Sequence, residues 1–169
     1  MPDHLHVATL GLGGNIGDPV RAMASVIERC KGSQVIELLA VSKLYRTPPW
    51  GKLDQPEFYN SCIKVETELA PLALLDFCLE LEFELKRERI ERCGPRTIDI
   101  DLLTYDDLAL EHERLVLPHP RMHERAFVLM PLTDVSPELR LYGKNITEWL
   151  EDADKTGITA VDDQMWWSR

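Results

Sequence analysis

An α+β fold built on a mainly antiparallel sheet is the architecture this 169-residue sequence predicts, on three observations. Strand-like and helix-like segments alternate in the order β-α-β-β-α-β. A two-residue hydrophobic period marks the clearest strand, and helix-start residues stand where the period lengthens to 3.6. With extra elements at its end, that order is the ferredoxin-like one, with helices on one sheet face and the other face available for ligands.

His6 to Leu12 reads as a buried first strand ending in the glycines of GLGGNIG. Asp18 then caps a helix with Pro19 in its first turn, and Val20, Met23, Ala24, Ile27 and Cys30 form its apolar stripe before Gly32. Val35–Tyr45 and Tyr59–Thr67 are two further strands, separated by Thr47-Pro48-Pro49-Trp50-Gly51-Lys52 and Asp54-Gln55-Pro56, which are too rich in breakers for regular structure. Pro71 opens a second helix with the stripe Leu74, Cys78, Leu81 and Leu85, Glu82 on its flank, and the charged run Lys86–Arg92 after it. Thr97–Tyr105 is a strand closed by an Asp106-Asp107 turn. Beyond Leu117-Pro118-His119-Pro120 comes a short helical stretch, then a last helix capped by Asn145 with Glu148 at its third position, and a partly ordered tail.

The stretch RCGPRTIDIDLL, residues 92–103, concentrates the chemistry. Side chains alternate along a strand, so Asp99 and Asp101 leave one face with Cα atoms about 6.6 Å apart, while Ile98, Ile100 and Leu102 leave the other. Two carboxylates at that spacing can ligate hard cations such as magnesium, which completes its shell with substrate phosphates. Arg96 offers a planar fork to a phosphate oxygen. Taken alone, Asp-x-Asp fits a solvated strand face equally well.

Composition narrows the class. A net charge of −10 and a pI near 4.9 argue against coating a nucleic acid, which needs a basic surface. Within that acidic chain Arg87, Arg89, Arg92, Arg96, Arg114, Arg121 and Arg125 cluster, with only Lys86 beside them. Planar forks in preference to lysines suit a small polyphosphate ligand. No apolar run reaches the roughly 18 residues of a membrane span, and the N-terminus lacks the pattern of an export leader. A cytoplasmic, monomeric, single-domain protein spanning residues 1–169 is therefore expected. Cys30, Cys62, Cys78 and Cys93 contain no C-x-x-C pair and read as reduced thiols, mostly buried.

Other motifs fail. Gly11–Gly17 is not G-x-G-x-x-G, because Ile16 takes the third glycine's place, and no P-loop occurs. His119 and His123 are four apart but lack the H-E-x-x-H glutamate, which argues against zinc.

RCGPRTIDIDLL followed by LVLPHPRMHERAFVL at 115–129, with GLGGNIGD, YRTPPWG and DQPEFYNS earlier in the same order, resembles the 6-hydroxymethyl-7,8-dihydropterin pyrophosphokinases. The resemblance covers most of residues 6–139. It implies a ferredoxin-like fold and transfer of a diphosphoryl group from ATP to the hydroxymethyl group of a reduced pterin, with release of AMP. It further implies that Asp99 and Asp101 hold two magnesium ions, and that Arg87 and Arg96 neutralise the transferred group. Glu82, Arg89, Arg96, Arg114, His119 and Arg125 would contact ATP. Phe58 and Phe127 would sandwich the pterin, Asn60 would pair with its edge, and Gly13, Thr47, Pro48 and Trp50 would complete the pocket. By themselves Phe58 and Phe127 read as ordinary core. Two other classes share parts of the pattern: a two-metal phosphodiesterase or nucleotidyl transferase, and a noncatalytic pterin- or nucleotide-binding relative.

Overall fold

The structure, a computed structural model, describes residues 5–48, 56–92 and 98–168, with the backbone alone for 87–92. Trp50, Arg96 and Cys93 lie outside the described residues, as do the side chains of Arg87 and Arg89.

The main sheet is built from β1 (His6–Gly14), β2 (Ile36–Val41), β3 (Tyr45–Thr47), β4 (Phe58–Thr67) and β5 (Asp99–Tyr105). Its strand order is β3-β4-β1-β5, with β2 also on β4, and every pairing is antiparallel. Helices α1 (Pro19–Lys31) and α2 (Pro71–Arg92) complete the ferredoxin-like order. Both caps read from the sequence form. Asp18 accepts the Arg21 backbone N–H at 3.1 Å, and Asn145 accepts that of Thr147 at 2.8 Å, satisfying donors that the first helical turn leaves unpaired.

The period-2 alternation in β1, β4 and β5 separates two cores. Leu10, Leu12, Ile63, Val65, Ile98, Ile100 and Leu102 face α1 and α2, where Met23, Ile27, Leu74 and Leu85 meet them. Cys62 and Leu103 point the other way, onto Met122, Leu129, Leu132 and Ile146. The second face is therefore not open along its length. Helix α3 (Ala126–Val135) packs across β4, and α4 (Ile146–Asp152) packs on α3.

Further departures from expectation are local. β1 continues through Gly14, so its glycines are strand residues rather than a loop. The stripe of α1 is rotated, with Ala22 and Val26 buried and Val20 and Ala24 half-buried. The run expected as one strand, Val35–Tyr45, breaks at Ser42. That residue's N–H donates to the Cys62 carbonyl at 2.9 Å, and its hydroxyl accepts the Cys62 N–H at 2.8 Å. The charged run Lys86–Arg92 belongs to α2 rather than to a following loop.

The tail is also ordered. Thr159–Ala160 forms β10 on the outer side of β3, after the short pairs β6 (Leu110–Glu111) with β7 (Val116–Leu117) and β8 (Arg140–Leu141) with β9 (Lys144–Asn145). Cys30, Cys62 and Cys78 are free and buried, as expected. Burial raises the Cys30 thiol to about 11 and Cys78 to about 12, so neither is a nucleophile at neutral pH. No helix among the described residues is long and apolar enough to cross a membrane.

Candidate active site

Strand register assembles the site. In the central strand β1, Gly13 stands between Asn60 of β4 and Asp99 of β5, and Gly11 stands between Cys62 and Asp101. Directly paired residues share a face, so Gly13 lies between two polar side chains and Gly11 between a buried thiol and a carboxylate. The bare centre of the sheet becomes a trough with an amide on one bank and two carboxylates on the other. At Gly13 the glycine is required by close approach, since a Cβ there would lie 2.5 Å from Asn60 Oδ1.

A cavity of about 310 Å³ occupies the trough, within the low end of the small-molecule range. Its walls include Gly13, Thr47, Phe58, Asn60, Asp99, Asp101, His119, Arg125 and Phe127, with Val128 and Pro131 of α3 beside Phe127. Phe58 and Phe127 are half-buried and join neither core, so the ordinary-core reading of these rings fails. Both present surface to the cavity. Thr47 is buried and its Oγ1 has no hydrogen-bond partner among the described residues. A buried hydroxyl left unpaired costs about 1–3 kcal/mol, which the polar edge of a ligand in this cavity would offset.

The carboxylate bank is electrostatically poised. Enclosure by the pocket walls raises the Asp101 carboxyl above its ordinary value; neighbouring Asp99 adds to the rise, while His119 and Arg125 oppose it. Burial lowers His119, aided by Arg125 and countered by Asp101. Its imidazole is therefore neutral at pH 7. The Arg121 backbone N–H points at His119 Nδ1 across 3.4 Å, which assigns the proton to Nε2 and makes that nitrogen a donor for an anionic oxygen. Arg125 also lies over the Phe127 ring, with Cζ 5.8 Å from its centroid.

Three residues expected at the site lie elsewhere in this conformation. Glu82 does not line the cavity; its Oε2 accepts the Ile100 N–H at 2.7 Å from the open edge of β5, bracing the strand between the two aspartates. Burial raises its carboxyl, partly offset by that N–H and by Lys86. Arg114 is paired with Asp76 of α2, both half-exposed. Pro48 is exposed and packs against Gly157. Conversely, Val128 and Pro131 escaped sequence reading. They follow Phe127 on α3, and their spacing looks like any apolar helix face.

Asp99 and Asp101 offer carboxylate oxygens, and among the described residues no group of three His, Cys, Asp or Glu side chains gathers to form a closed metal cage. A pair of hard oxygen donors lining an open cavity suits magnesium, which retains water and takes further ligands from substrate phosphates.

The register also makes a prediction. Gly13→Ala should fold, because the atom it displaces is the free end of Asn60, yet should lower affinity for a ligand held by Asn60 by up to about tenfold. Calorimetric titration checks this, and unchanged affinity would contradict it.

An antiparallel α+β sheet carrying an aromatic-walled cavity beside paired carboxylates defines a small-molecule enzyme of ferredoxin-like architecture. A sequence profile of the 7,8-dihydro-6-hydroxymethylpterin-pyrophosphokinase family matches residues 9–137. A 2-amino-4-hydroxy-6-hydroxymethyldihydropteridine pyrophosphokinase of Methylorubrum extorquens is 46% identical over 155 residues, covering 92% of this chain and 98% of the relative. The Pseudomonas aeruginosa enzyme of the same name is 40% identical, covering 88% and 93%. Among solved structures, wild-type Plasmodium falciparum HPPK-DHPS superposes with a TM-score of 0.69 at 17% identity, over 89% of this chain. This chain spans 41% of that longer one, and at such identity the likeness concerns the fold. The chain belongs to the 7,8-dihydro-6-hydroxymethylpterin-pyrophosphokinase family.

Proposed function

We infer that this chain catalyses transfer of the diphosphoryl group of ATP to the hydroxymethyl oxygen of 6-hydroxymethyl-7,8-dihydropterin, with release of AMP, in folate synthesis. The observation that carries the reading is the row Asn60, Gly13, Asp99. It separates an amide from a carboxylate by two strand spacings, about 9.5 Å, a span suited to a two-ring heterocycle with a one-carbon arm.

In this proposal Asn60 pairs with the donor and acceptor groups of the pterin edge, Phe58 and Phe127 stack on its faces, and Thr47 supplies its unpaired hydroxyl. Gly13 leaves room for Asn60, while Pro48 and Trp50 are proposed to close the pocket over the bound pterin. The hydroxymethyl oxygen then attacks the β-phosphorus of ATP in line with the departing AMP oxygen. An O–P bond forms, the bond from the β-phosphorus to the α–β bridging oxygen breaks so that this oxygen leaves with AMP, and the alcohol proton is released to water.

His119 donates from Nε2 to a phosphate oxygen, and Arg125 supplies positive charge. Arg87, Arg89 and Arg96 are proposed for the same phosphates. Arg114 would join them by exchanging Asp76 for ATP, a small cost because exposed ion pairs contribute about 0–1 kcal/mol. Glu82 is proposed to act beside the nucleotide through its hold on β5. Asp99 and Asp101 would hold magnesium, two ions in this proposal, which when bound neutralises phosphate charge. A cytoplasmic monomer completes it, supported as to compartment by the free thiols Cys30, Cys62 and Cys78.

Product analysis tests the reaction class. Diphosphoryl transfer yields AMP and a pterin carrying two phosphoryl groups. Nucleotidyl transfer would instead release inorganic diphosphate, and a noncatalytic relative would yield neither.

A further inference from the structure

The end of the chain lies beyond the span 9–137 matched by the family profile, yet it returns to the sheet beside the pocket. Thr159 and Ala160 pair with Arg46 and Tyr45, and Val161 N–H donates to the Leu44 carbonyl at 2.8 Å. Gly157, at φ +81°, approaches so closely that a Cβ would stand 3.0 Å from Pro48 Cγ. Trp166 is 5% exposed, and its Nε1–H donates to the Ser42 carbonyl at 3.0 Å. These contacts all fall on residues 42–48, from the approach to β3 to the residue just past it.

β3 has three residues. On its inner side it pairs Tyr45 with Asn60 and Thr47 with Phe58, so it aligns Thr47 with two other residues of the cavity wall. Such a short strand at a sheet edge would be held from one side only, and isolated two-strand pairings are marginal in water. β10 converts β3 into an inner strand. Trp166 anchors the break at Ser42, where β2 ends and β3 has not yet begun.

We propose that segment 157–168 is a positioning element for the pterin half of the site: by clamping β3 from outside it sets Thr47 against Phe58 and Asn60, and thereby tunes pterin affinity without touching substrate. The inference rests on the pterin reading of the cavity. The ATP half, carried by β5 and the segment around His119, lies on the far side of β1 and has no part in the clamp.

The test uses the full chain in three variants. Val161→Pro removes the N–H that reaches Leu44, Trp166→Phe removes the donor to Ser42 while keeping an aromatic ring, and Gly157→Ala pushes a Cβ toward Pro48 at a positive φ. KM for each substrate and kcat are measured well below each melting temperature, together with calorimetric binding of hydroxymethylpterin. Val161→Pro is expected to raise pterin KM and Kd about 10-fold, and Trp166→Phe about 3-fold, in the range of a lost buried hydrogen bond. Gly157→Ala should move them in the same direction, with ATP KM and kcat within about 2-fold of wild type in all three. A merely structural role would lower Tm and leave the pterin constants alone. That result in the variants that fold, or parallel loss of both substrates, overturns the proposal. If Val161→Pro fails to fold, the other two decide. Wild-type protein that neither binds hydroxymethylpterin nor requires it for turnover would sink the pterin reading; wild-type-like variants beside a normal enzyme sink only the clamp.

Discussion

Asp101→Asn is expected to reduce turnover by at least about 10²–10³-fold at saturating magnesium, the scale set by losing one preorganised electrostatic group at a reacting centre, while the folded protein melts at or above the wild-type temperature. The two halves of this result have one origin. The pocket walls and Asp99 raise the Asp101 carboxyl, so without ligands the folded state holds its proton more tightly than the unfolded chain does. Wild-type stability therefore falls as pH rises from the ordinary carboxylate value through the raised one. Asparagine carries no such charge and escapes the loss above that window. Function and stability oppose each other at this position, as at many sites built to receive a cation or substrate charge. Initial rates and thermal melts on the same preparation check it. Near-normal activity would remove Asp101 from the chemistry, and a lower melting temperature at pH 7 would contradict the electrostatic account.

Asn60→Ala is expected to weaken binding of the reduced hydroxymethyl pterin by about 1–3 kcal/mol, roughly 5- to 150-fold, because it leaves a desolvated polar edge unpaired. Affinity for ATP should stay close to wild type, since Asn60 stands two strands from Asp99 across Gly13. The side chain is partly exposed and faces the cavity rather than either core, so the melting temperature should change little. Separate titrations of the two ligands resolve the split. Loss of ATP affinity with the pterin's intact would place the heterocycle at the wrong end of the trough.

Much of this site is legible in the amino-acid sequence. The alternation from Ile98 to Leu102 fixed which face Asp99 and Asp101 occupy, because period 2 leaves a strand no other choice. Asp18 and Asn145 announced their helices for an equally local reason. The trough itself was not legible. Gly13 lay beyond the strand end expected at Leu12, because glycine weakens an isolated strand, and only pairing with β4 and β5 on both sides makes it strand. Lys86–Arg92 looked like a loop by its charge, yet Lys, Arg and Glu are good helix formers and simply extend α2. The cover that α3 lays over the second sheet face has no local signature. β10 has two residues, too few for any period, and its partner lies more than a hundred positions earlier in the chain.

The central claim is that this cavity joins a pterin to the phosphates of ATP. Its most direct measurement is AMP formation by the purified protein with ATP and magnesium, with and without 6-hydroxymethyl-7,8-dihydropterin. The predicted result is AMP only when the pterin is present, in a one-to-one ratio with diphosphorylated pterin. AMP formed at the same rate without the pterin, or inorganic diphosphate released in its place, would contradict it.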